Sequence, residues 1–418
     1  MSKPKNRKMK KISNCLLLSL LPLALEAQQM TYDQYIKAVA GQNASYLAEQ
    51  YEIDIAQANL QAAKVFNDPE LSVEYGNNQD WYMYMGQSVD VSLSLDLDLA
   101  GVRRARIRTA RTEQQITEAT VAAYLSTLRC EASQAWAEAW RLRQSCLLMQ
   151  AAVADMRQVA QADSIRLSVG DIGSTDAMQS RLEAQTLEGD LIALQAEYRS
   201  ALSNLSLLCG GTPVADLADD ALPVTLQPLS EEQVIATAEH NRADLRAAEL
   251  SHTLSANNLR LVKASRALEM NLSLGYSYNS EVRNEIAPAP KFNGLSVGVT
   301  IPLKFSSLNR GERRAAEHQV QQSQLYYEAS LQQVRHEAVQ AYAAHHAAQQ
   351  VLSMYDDTML REARTIVESR KVGYQRGESS LLEFLTAQQT YRDVMQAYID
   401  ATASRFSTYA QLQASMGM

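Results

Sequence analysis

Residues 125–156 read LSTLRCEASQAWAEAWRLRQSCLLMQAAVADM, and this stretch decides the fold. Its apolar and small residues recur alternately three and four positions apart, which predicts a helix with a single packing stripe. The stripe comprises Leu125, Leu128, Ala132, Ala135, Ala139, Leu142, Cys146, Met149, Val153 and Met156. A shift of 206 residues reproduces it as Leu331, Val334, Ala338, Ala341, His345, Ala348, Leu352, Tyr355 and Met359. The sequence therefore contains an internal duplication built around a long coiled-coil helix.

Each copy of the stripe is preceded by two segments in which apolar and polar residues alternate. The alternation covers about residues 70–76 and 88–99 in the first copy, and about 268–279 and 294–305 in the second. A period of two over about ten residues matches a strand that crosses a bilayer with apolar side chains outward and polar ones inward. A soluble sheet with one wet face would show the same pattern.

Proline is absent from residues 103–209 and 303–418, so both regions can hold long uninterrupted helices. A helix from about 102 to 167 would be about 100 Å long, too long to fold around a compact core, and must pack side by side with others. A glycine-containing turn follows each long helix. Ser174 or Thr175 in the first copy, and Ser379 or Ser380 in the second, are candidate N-caps of the returning helices.

The chain divides into four segments on these grounds. Residues 1–27 have the basic start and short apolar core of a signal peptide. Residues 28–211 form the first structural repeat, 212–230 a linker that contains proline and aspartate, and 231–418 the second repeat. Removing residues 1–27 changes the formal net charge from −8 to about −13, which leaves no basic surface for nucleic acid.

Neither a catalytic nor a cofactor-binding motif emerges from the sequence. The cysteines after the signal segment, Cys130, Cys146 and Cys209, are odd in number and lack the spacing of a zinc site. The pair His345-His346 points about 100° apart on a helix, which favours packing or hydrogen bonding over joint metal ligation. We therefore expect a protein that is not an enzyme and has no cofactor or resident metal.

Four strands cannot form a closed structure across a membrane, because their edges would present unpaired backbone groups to lipid. Several copies of the chain would have to contribute strands to one barrel, and the long helices would then join into one tube. We expect a homo-oligomer on this argument.

Four short motifs in a repeated order resemble the TolC-type outer-membrane efflux protein family. They are GYQRG at 373–377, its counterpart VG at 169–170, NDPEL at 67–71 and IPL at 301–303. The resemblance covers essentially the whole chain after the signal segment. It implies a mainly α protein with membrane β-structure, assembled as a trimer with a shared twelve-stranded β-barrel and an α-helical periplasmic tunnel.

The same resemblance implies a function in transport. The protein would be the outer-membrane exit duct of a tripartite efflux system, coupled through a periplasmic adaptor to an inner-membrane transporter. The NDPEL motif and the modest chain length are most similar to the branch that exports heavy-metal cations. Two alternatives stay open: a type I secretion duct, which exports polypeptides, and a periplasmic coiled-coil structural protein that does not transport.

The resemblance also assigns a periplasmic gate. Asp176 in the first repeat and Glu383 in the second fall at gate positions, where a ring of carboxylates would hinder anions and attract cations. A carboxylate in the first turn of a helix is equally expected on an ordinary solvated face, where the helix dipole favours it.

Two further sets of residues are candidates for function. The turn residues Gly170, Asp171, Arg376 and Gly377 would contact the adaptor, although solvation of the turn explains their polarity equally well. The strand carboxylates Asp90, Asp96 and Asp98 would make the barrel lumen acidic, which suits the passage of cations.

Overall fold

The computed structural model describes residues 29–77, 84–218, 221–223, 229–266, 270–302 and 309–418. The expected signal segment lies outside these ranges. The first repeat contains β1 (Gln29–Met30), α1 (Tyr32–Gln42), α2 (Ala44–Ala63), β2 (Glu70–Asn77), β3 (Gln87–Leu97), α3 (Val102–Ser168) and α4 (Ser174–Leu208). The linker contains β4 (Asp216–Leu217), and the second repeat contains α5 (Glu231–Asn241), α6 (Ala243–Ala264), β5 (Met270–Asn279), β6 (Phe292–Thr300), α7 (Asn309–Met354), α8 (Asp357–Gln375) and α9 (Leu381–Ser415).

The long helix of the first repeat confirms the helix predicted from the stripe. Helix α3 has 67 residues and is therefore about 100 Å long. Helix α4 returns along it, and α9 of the second repeat packs against α3 as well. Stripe residues such as Leu128, Ala132 and Met156 are buried in these contacts.

The corresponding helix of the second repeat is not continuous, contrary to our expectation. Helix α7 ends at Met354, and the side chain of Asp356 accepts a hydrogen bond from the backbone N–H of Met359 to start α8. The turn residue Gly377 lies one residue further from Gly170 than the 206-residue shift requires. One extra residue would rotate the rest of a helix by about 100°. The break falls before the last residue of the expected stripe, Met359, which is exposed rather than packed.

The returning helices start differently in the two repeats. Helix α9 has Ser380 as its N-cap, and the Ser380 hydroxyl accepts a hydrogen bond from the N–H of Glu383. Helix α4 has Gly173 as its N-cap, without a side-chain hydrogen bond. The predicted cap at Ser174 or Thr175 was therefore wrong, because the helix already includes both residues.

The four longer strands form one antiparallel sheet in the order β2-β3-β5-β6. The segment expected to reach about residue 305 ends as a strand at Thr300, two residues before Pro302, which has no N–H to donate to a ladder. Residues 303–305 lie outside the described chain.

The register of the sheet separates two faces. Apolar rows such as Leu71–Leu93–Leu274–Val297 lie on one face. Polar rows such as Ser72–Ser92–Gly275–Ser296 lie on the other. The large residues of the apolar face are exposed in the single chain.

A hydrophobic core lies where the short helices meet the long ones. Trp136 of α3, Tyr35 of α1 and Phe406 of α9 are buried in it. Gly210 ends α4 with φ +68°, and a Cβ on it would lie 2.1 Å from the carbonyl oxygen of Gln42. Gly417 makes the corresponding approach in the second repeat, where a Cβ would lie 2.8 Å from the carbonyl oxygen of Asn241. Each repeat therefore ends with a glycine after its returning helix, and this glycine allows close contact with the backbone at the end of the first short helix.

Candidate functional site

The turns between the long helices form one end of the molecule, which we call the helical tip (residues 163–176 and 370–383). Gly170 and Gly377 adopt the left-handed conformation, with φ 79° and 78°. The N–H of the next residue returns to the last helical turn in both repeats, from Asp171 to the carbonyl of Arg166 and from Glu378 to the carbonyl of Gly373. This is the Schellman arrangement that favours glycine.

A buried hydrogen bond joins the two repeats at the tip. The Tyr374 hydroxyl donates to Oδ1 of Asp163 at 2.8 Å. Asp163 is 1% exposed, and its Oδ2 has no hydrogen-bond partner in the described structure. Burial, together with the hydrogen bond to Asp163, raises the pKa of Tyr374 well above its ordinary value. The hydroxyl therefore stays protonated and keeps its proton available to the carboxylate.

Arg166 links this buried pair to the first turn. Its Nε donates to Oδ2 of Asp171 at 2.7 Å, and its Nη1 lies 3.5 Å from the backbone carbonyl oxygen of Tyr374. The same guanidinium lies 3.9 Å from Oδ1 of Asp163 and over the Tyr374 ring. Because one cation contacts both turns, separating the repeats would break several polar contacts together.

The two predicted gate carboxylates have different surroundings. Glu383 lies in the first turn of α9, where Oε2 accepts from the N–H of Ser380 at 3.2 Å and lies 3.5 Å from Nη1 of Arg370. Asp176 is exposed in the first turn of α4, and its charge adds to the rise in the pKa of Tyr374. Asp176 therefore acts on Tyr374 through its charge, whereas Glu383 serves in a capping box.

The predicted adaptor-contacting residues Gly170, Asp171, Arg376 and Gly377 are all exposed at the tip. The predicted lumen residues are at the other end of the long helices. Asp90 and Asp96 lie on the polar face of β3, and Asp96 accepts a hydrogen bond from the Asn271 side chain at 2.9 Å.

Asp98 requires a correction, because it is not a strand residue. Strand β3 ends at Leu97, and the Asp98 carboxylate accepts from the N–H groups of Val102 at 2.9 Å and Arg103 at 2.8 Å. A carboxylate that satisfies free N–H groups at a helix start is a cap. Asp98 therefore holds the joint between β3 and α3.

The sequence reading missed Asp163, Arg166 and the partner role of Tyr374. A signal for Asp163 was available, because a carboxylate seven residues after Met156 continues the apolar stripe. A charged residue on a buried stripe calls for a partner. The identity of that partner was not available, because it lies 211 residues away.

Two features are absent from the described residues. No helix among them is long and apolar enough to cross a bilayer. No group of three or more His, Cys, Asp and Glu side chains among them is placed to hold a metal ion.

The fold is that of solved outer-membrane channels. VceC from Vibrio cholerae superimposes with a TM-score of 0.73 at 18% identity, over 92% of this chain and 95% of that chain. CmeC from Campylobacter jejuni superimposes with a TM-score of 0.76 at 14% identity, over 92% of this chain and 85% of CmeC. CusC, whose structures report on folding and transmembrane channel formation, superimposes with a TM-score of 0.74 at 19% identity. The superposition covers 92% of this chain and 91% of CusC.

The chain belongs to the outer membrane efflux protein family, whose profile matches residues 26–211 and 234–418. The cobalt-zinc-cadmium resistance protein CzcC of Cupriavidus metallidurans is 22% identical over 401 residues, which are 94% of this chain and 91% of CzcC. The efflux protein BepC of Brucella suis is 22% identical over 274 residues, 65% of this chain and 59% of BepC. The resemblance found in the motifs is confirmed, and the protein is an efflux channel of the outer membrane that extends into the periplasm.

Proposed function

We propose that three copies of this chain form the exit duct of a tripartite efflux system that carries metal cations. The observation that carries the assembly is the sheet β2-β3-β5-β6, which has one apolar face, one polar face and two edge strands without a partner in the described chain. Unpaired strand edges are not tolerated in lipid. Three such sheets joined edge to edge would give twelve strands, with the apolar face toward lipid and the polar face around water.

The long helices would continue this barrel as a periplasmic tunnel that ends at the helical tip. Contact with a periplasmic adaptor, and through it with an inner-membrane transporter, would take place there. The turns bearing Gly170, Asp171, Arg376 and Gly377 are exposed. Exposed apolar side chains flank them, including Val169 and Leu382, and such patches mark surfaces that bind other proteins.

The gate would lie at the same tip. The Asp163–Tyr374 hydrogen bond and the Arg166 contacts hold α3 against α8, so opening the bore there requires these contacts to break. Asp176 and Glu383 would add negative charge beside the opening, with Glu383 held in place by Ser380 and Arg370. Three copies would place such carboxylates in a ring that favours cations.

Metal cations are the proposed cargo for two reasons. CzcC, which the chain matches over nearly its whole length, is named for cobalt, zinc and cadmium resistance. The polar face of the sheet carries Glu74 beside Asp90, with Glu70 and Asp96 on the same face. An acidic lining raises the local concentration of cations and lowers that of anions.

The test is the reversal potential of the purified protein in a planar bilayer under a potassium chloride gradient. We expect cation selectivity that falls in an Asp90→Asn/Asp96→Asn variant, while Asp33→Asn on the exposed first turn of α1 leaves it unchanged. Failure of purified protein to form channels would overturn the duct. Channels with equal selectivity in all three proteins would overturn the role of the acidic lining.

A further inference from the structure

We propose that four arginines at the joint between the strands and the long helices bind the phosphate groups of anionic phospholipids in the periplasmic leaflet of the outer membrane. These joint arginines are Arg104 and Arg108 at the start of α3, and Arg310 and Arg314 at the start of α7. The inference rests on the proposed function for one point, that the apolar face of the sheet lies toward lipid. It assigns a lipid contact to the helices as well as to the strands.

The internal duplication separates these four residues from the other basic residues nearby. Helix α3 has five arginines in its first ten residues. The shift of 206 keeps arginine at two of these positions, pairing Arg104 with Arg310 and Arg108 with Arg314. The other three positions carry asparagine or glutamate in the second repeat. The repeats therefore share two arginines four residues apart, a spacing that places both on one face of a helix.

The joint arginines are exposed, and none of them has a hydrogen bond or an ion pair within the described chain. Their neighbours are used in the fold. Nε of Arg103 donates to the carbonyl oxygen of Lys64 at 3.0 Å, and its guanidinium lies 3.9 Å from the centre of the Phe66 ring. Nε of Arg313 lies 3.2 Å from Oε1 of Glu317. The fold therefore leaves the four joint arginines available to a ligand.

The packing of α3 fixes the direction in which its joint arginines point. Helix α2 covers one side of α3, where Ala110 is buried. Helix α6 covers the opposite side, where the Thr109 hydroxyl donates to an asparagine of α6 at 3.4 Å. At about 100° per residue, Arg104 and Arg108 point between these two covered sides, and Arg106 points in the opposite direction.

The face of α3 that bears Arg104 lies on the apolar side of the sheet. The neighbouring helices α2, α3, α6 and α7 follow the same order as the strands β2, β3, β5 and β6 to which they connect. The carbonyl of Gln87 accepts from the N–H of Ser280, just past β5, so the odd-numbered residues of β3 turn their N–H and C=O groups toward β5. The handedness of L-residues then places odd-numbered side chains such as Leu93 on the same side as Arg104 of the right-handed helix.

The joint arginines therefore come directly after the apolar surface of the strands. Leu99, the last large apolar residue before α3, is 66% exposed, and Arg104 follows five residues later. Such a change from apolar side chains to arginine is expected where hydrocarbon gives way to phospholipid headgroups. The opposite face differs, because Arg106 on α3 corresponds to Glu312 on α7 and the two charges have opposite signs.

The chemistry of the pair suits a phosphate ligand. A guanidinium can donate two parallel hydrogen bonds to a phosphate, and arginines four residues apart differ by about 6 Å in height along the helix. Basic side chains next to a membrane also attract lipids with net negative charge over zwitterionic ones. The helices extend into the periplasm, so the leaflet beside the joint arginines is the periplasmic one.

The experiment is native mass spectrometry of the full-length protein in mild detergent, titrated with phosphatidylglycerol or with phosphatidylcholine. We expect the wild type to retain phosphatidylglycerol in preference. Arg104→Gln/Arg108→Gln and Arg310→Gln/Arg314→Gln should each halve the number of tightly retained lipids per assembly. The variant with all four replacements should bind phosphatidylglycerol at least about fivefold more weakly, as expected from the loss of one or more basic contacts at a membrane surface.

Two control variants separate the joint arginines from charge in general. Arg181→Gln/Arg199→Gln removes two exposed arginines of α4 and should leave lipid retention at the wild-type level. Replacing all four joint arginines by lysine keeps the charge and should keep most of the binding. Phosphatidylglycerol retention that is unchanged in the fourfold glutamine variant, or that falls equally in the α4 control, would overturn the proposal.

The same spectra distinguish a failure of the lipid site from a failure of the duct. Assemblies of three chains with unchanged lipid retention in the glutamine variants would remove the lipid site alone. Single chains in the wild type would remove the proposed assembly.

The direction of the arginines has its own measurement. In planar bilayers, Arg106→Gln should raise cation selectivity, because this residue lies on the face toward water. Arg104→Gln/Arg108→Gln should leave the reversal potential unchanged. A shift in the double variant as large as that of Arg106→Gln would place these arginines in the bore and contradict the lipid contact.

Discussion

The hydroxyl of Tyr374 donates a 2.8 Å hydrogen bond to the carboxylate of Asp163, and this bond joins the two repeats where their long helices turn. One partner comes from α3 and the other from α8, so the bond reports whether the two hairpins are held together. Because the bond is buried, removing one partner leaves the other without a hydrogen bond and lowers the free energy of unfolding.

Tyr374→Phe should loosen the tip without changing its shape. The carboxylate of Asp163 would lose its donor, and leaving a buried polar group unpaired costs about 1–3 kcal/mol. We expect a lower free energy of unfolding for the helical part, measured by chemical denaturation, and a larger fraction of open time in planar-bilayer recordings.

The matched control for this variant is Tyr391→Phe at a half-exposed position of α9. It should leave both the unfolding free energy and the open time near the wild-type values. Equal open times in Tyr374→Phe and wild type would show that the bond does not hold the gate.

Gly210→Ala should be among the most damaging small substitutions. Residue 210 has φ +68°, and a methyl group there would collide with the backbone of Gln42. Backbone cannot move aside as a side chain can, so we expect a loss of several kcal/mol, on the scale of severe point mutations. The melting temperature of the detergent-solubilised protein measures it.

Gly173→Ala is the control for the glycine experiment, because Gly173 has φ −73° and open space where a Cβ would be. It should shift the melting temperature little. A Gly210→Ala protein as stable as Gly173→Ala would contradict the close backbone approach.

The buried His345 should make the protein sensitive to acid. Burial, and secondarily the positive charge of Arg405, lowers the pKa of His345 below its ordinary 6.5. The neutral ring is therefore favoured in the folded state. Its contribution to stability is present above pH 6.5 and is lost as the pH falls toward the folded-state pKa.

Melting temperature as a function of pH measures this effect. The wild type should lose stability below pH 6.5, and His345→Gln should lose less over the same range. The exposed His318→Gln serves as the comparison and should follow the wild-type curve. A His345→Gln profile parallel to the wild type would exclude the histidine as the source.

The cap at Asp98 predicts a separation between stability and selectivity. Asp98→Ala removes an acceptor for the first N–H groups of α3 and should cost about 1 kcal/mol. Asp98→Ser keeps an acceptor and should cost less. Ion selectivity should remain at the wild-type value in both variants. A drop in selectivity as large as that of Asp90→Asn/Asp96→Asn would show that Asp98 contributes to the lumen lining.

Local periodicity made much of the fold predictable. The helix expected from about 102 to 167 agrees with α3 to within a residue at each end, because the absence of proline and the apolar spacing both act along a single helix. The break at Asp356 was not predicted, since the one-residue difference between the repeats becomes visible only when both turns are aligned.

The site was less predictable than the fold, because its contacts join distant parts of the chain. Asp163 and Tyr374 each look ordinary in their own segment, and their pairing depends on how α3 and α8 pack. Asp98 was misplaced for a local reason: alternation continues past Leu97, while backbone N–H groups at the helix start decide where the carboxylate binds.

Native mass spectrometry of the full-length protein, extracted from outer membranes in mild detergent, tests the three-copy assembly most directly. We expect a species of three chains, because the described sheet of one chain has two edge strands without a partner and an exposed apolar face. A single chain that stays folded and monodisperse in detergent would contradict it.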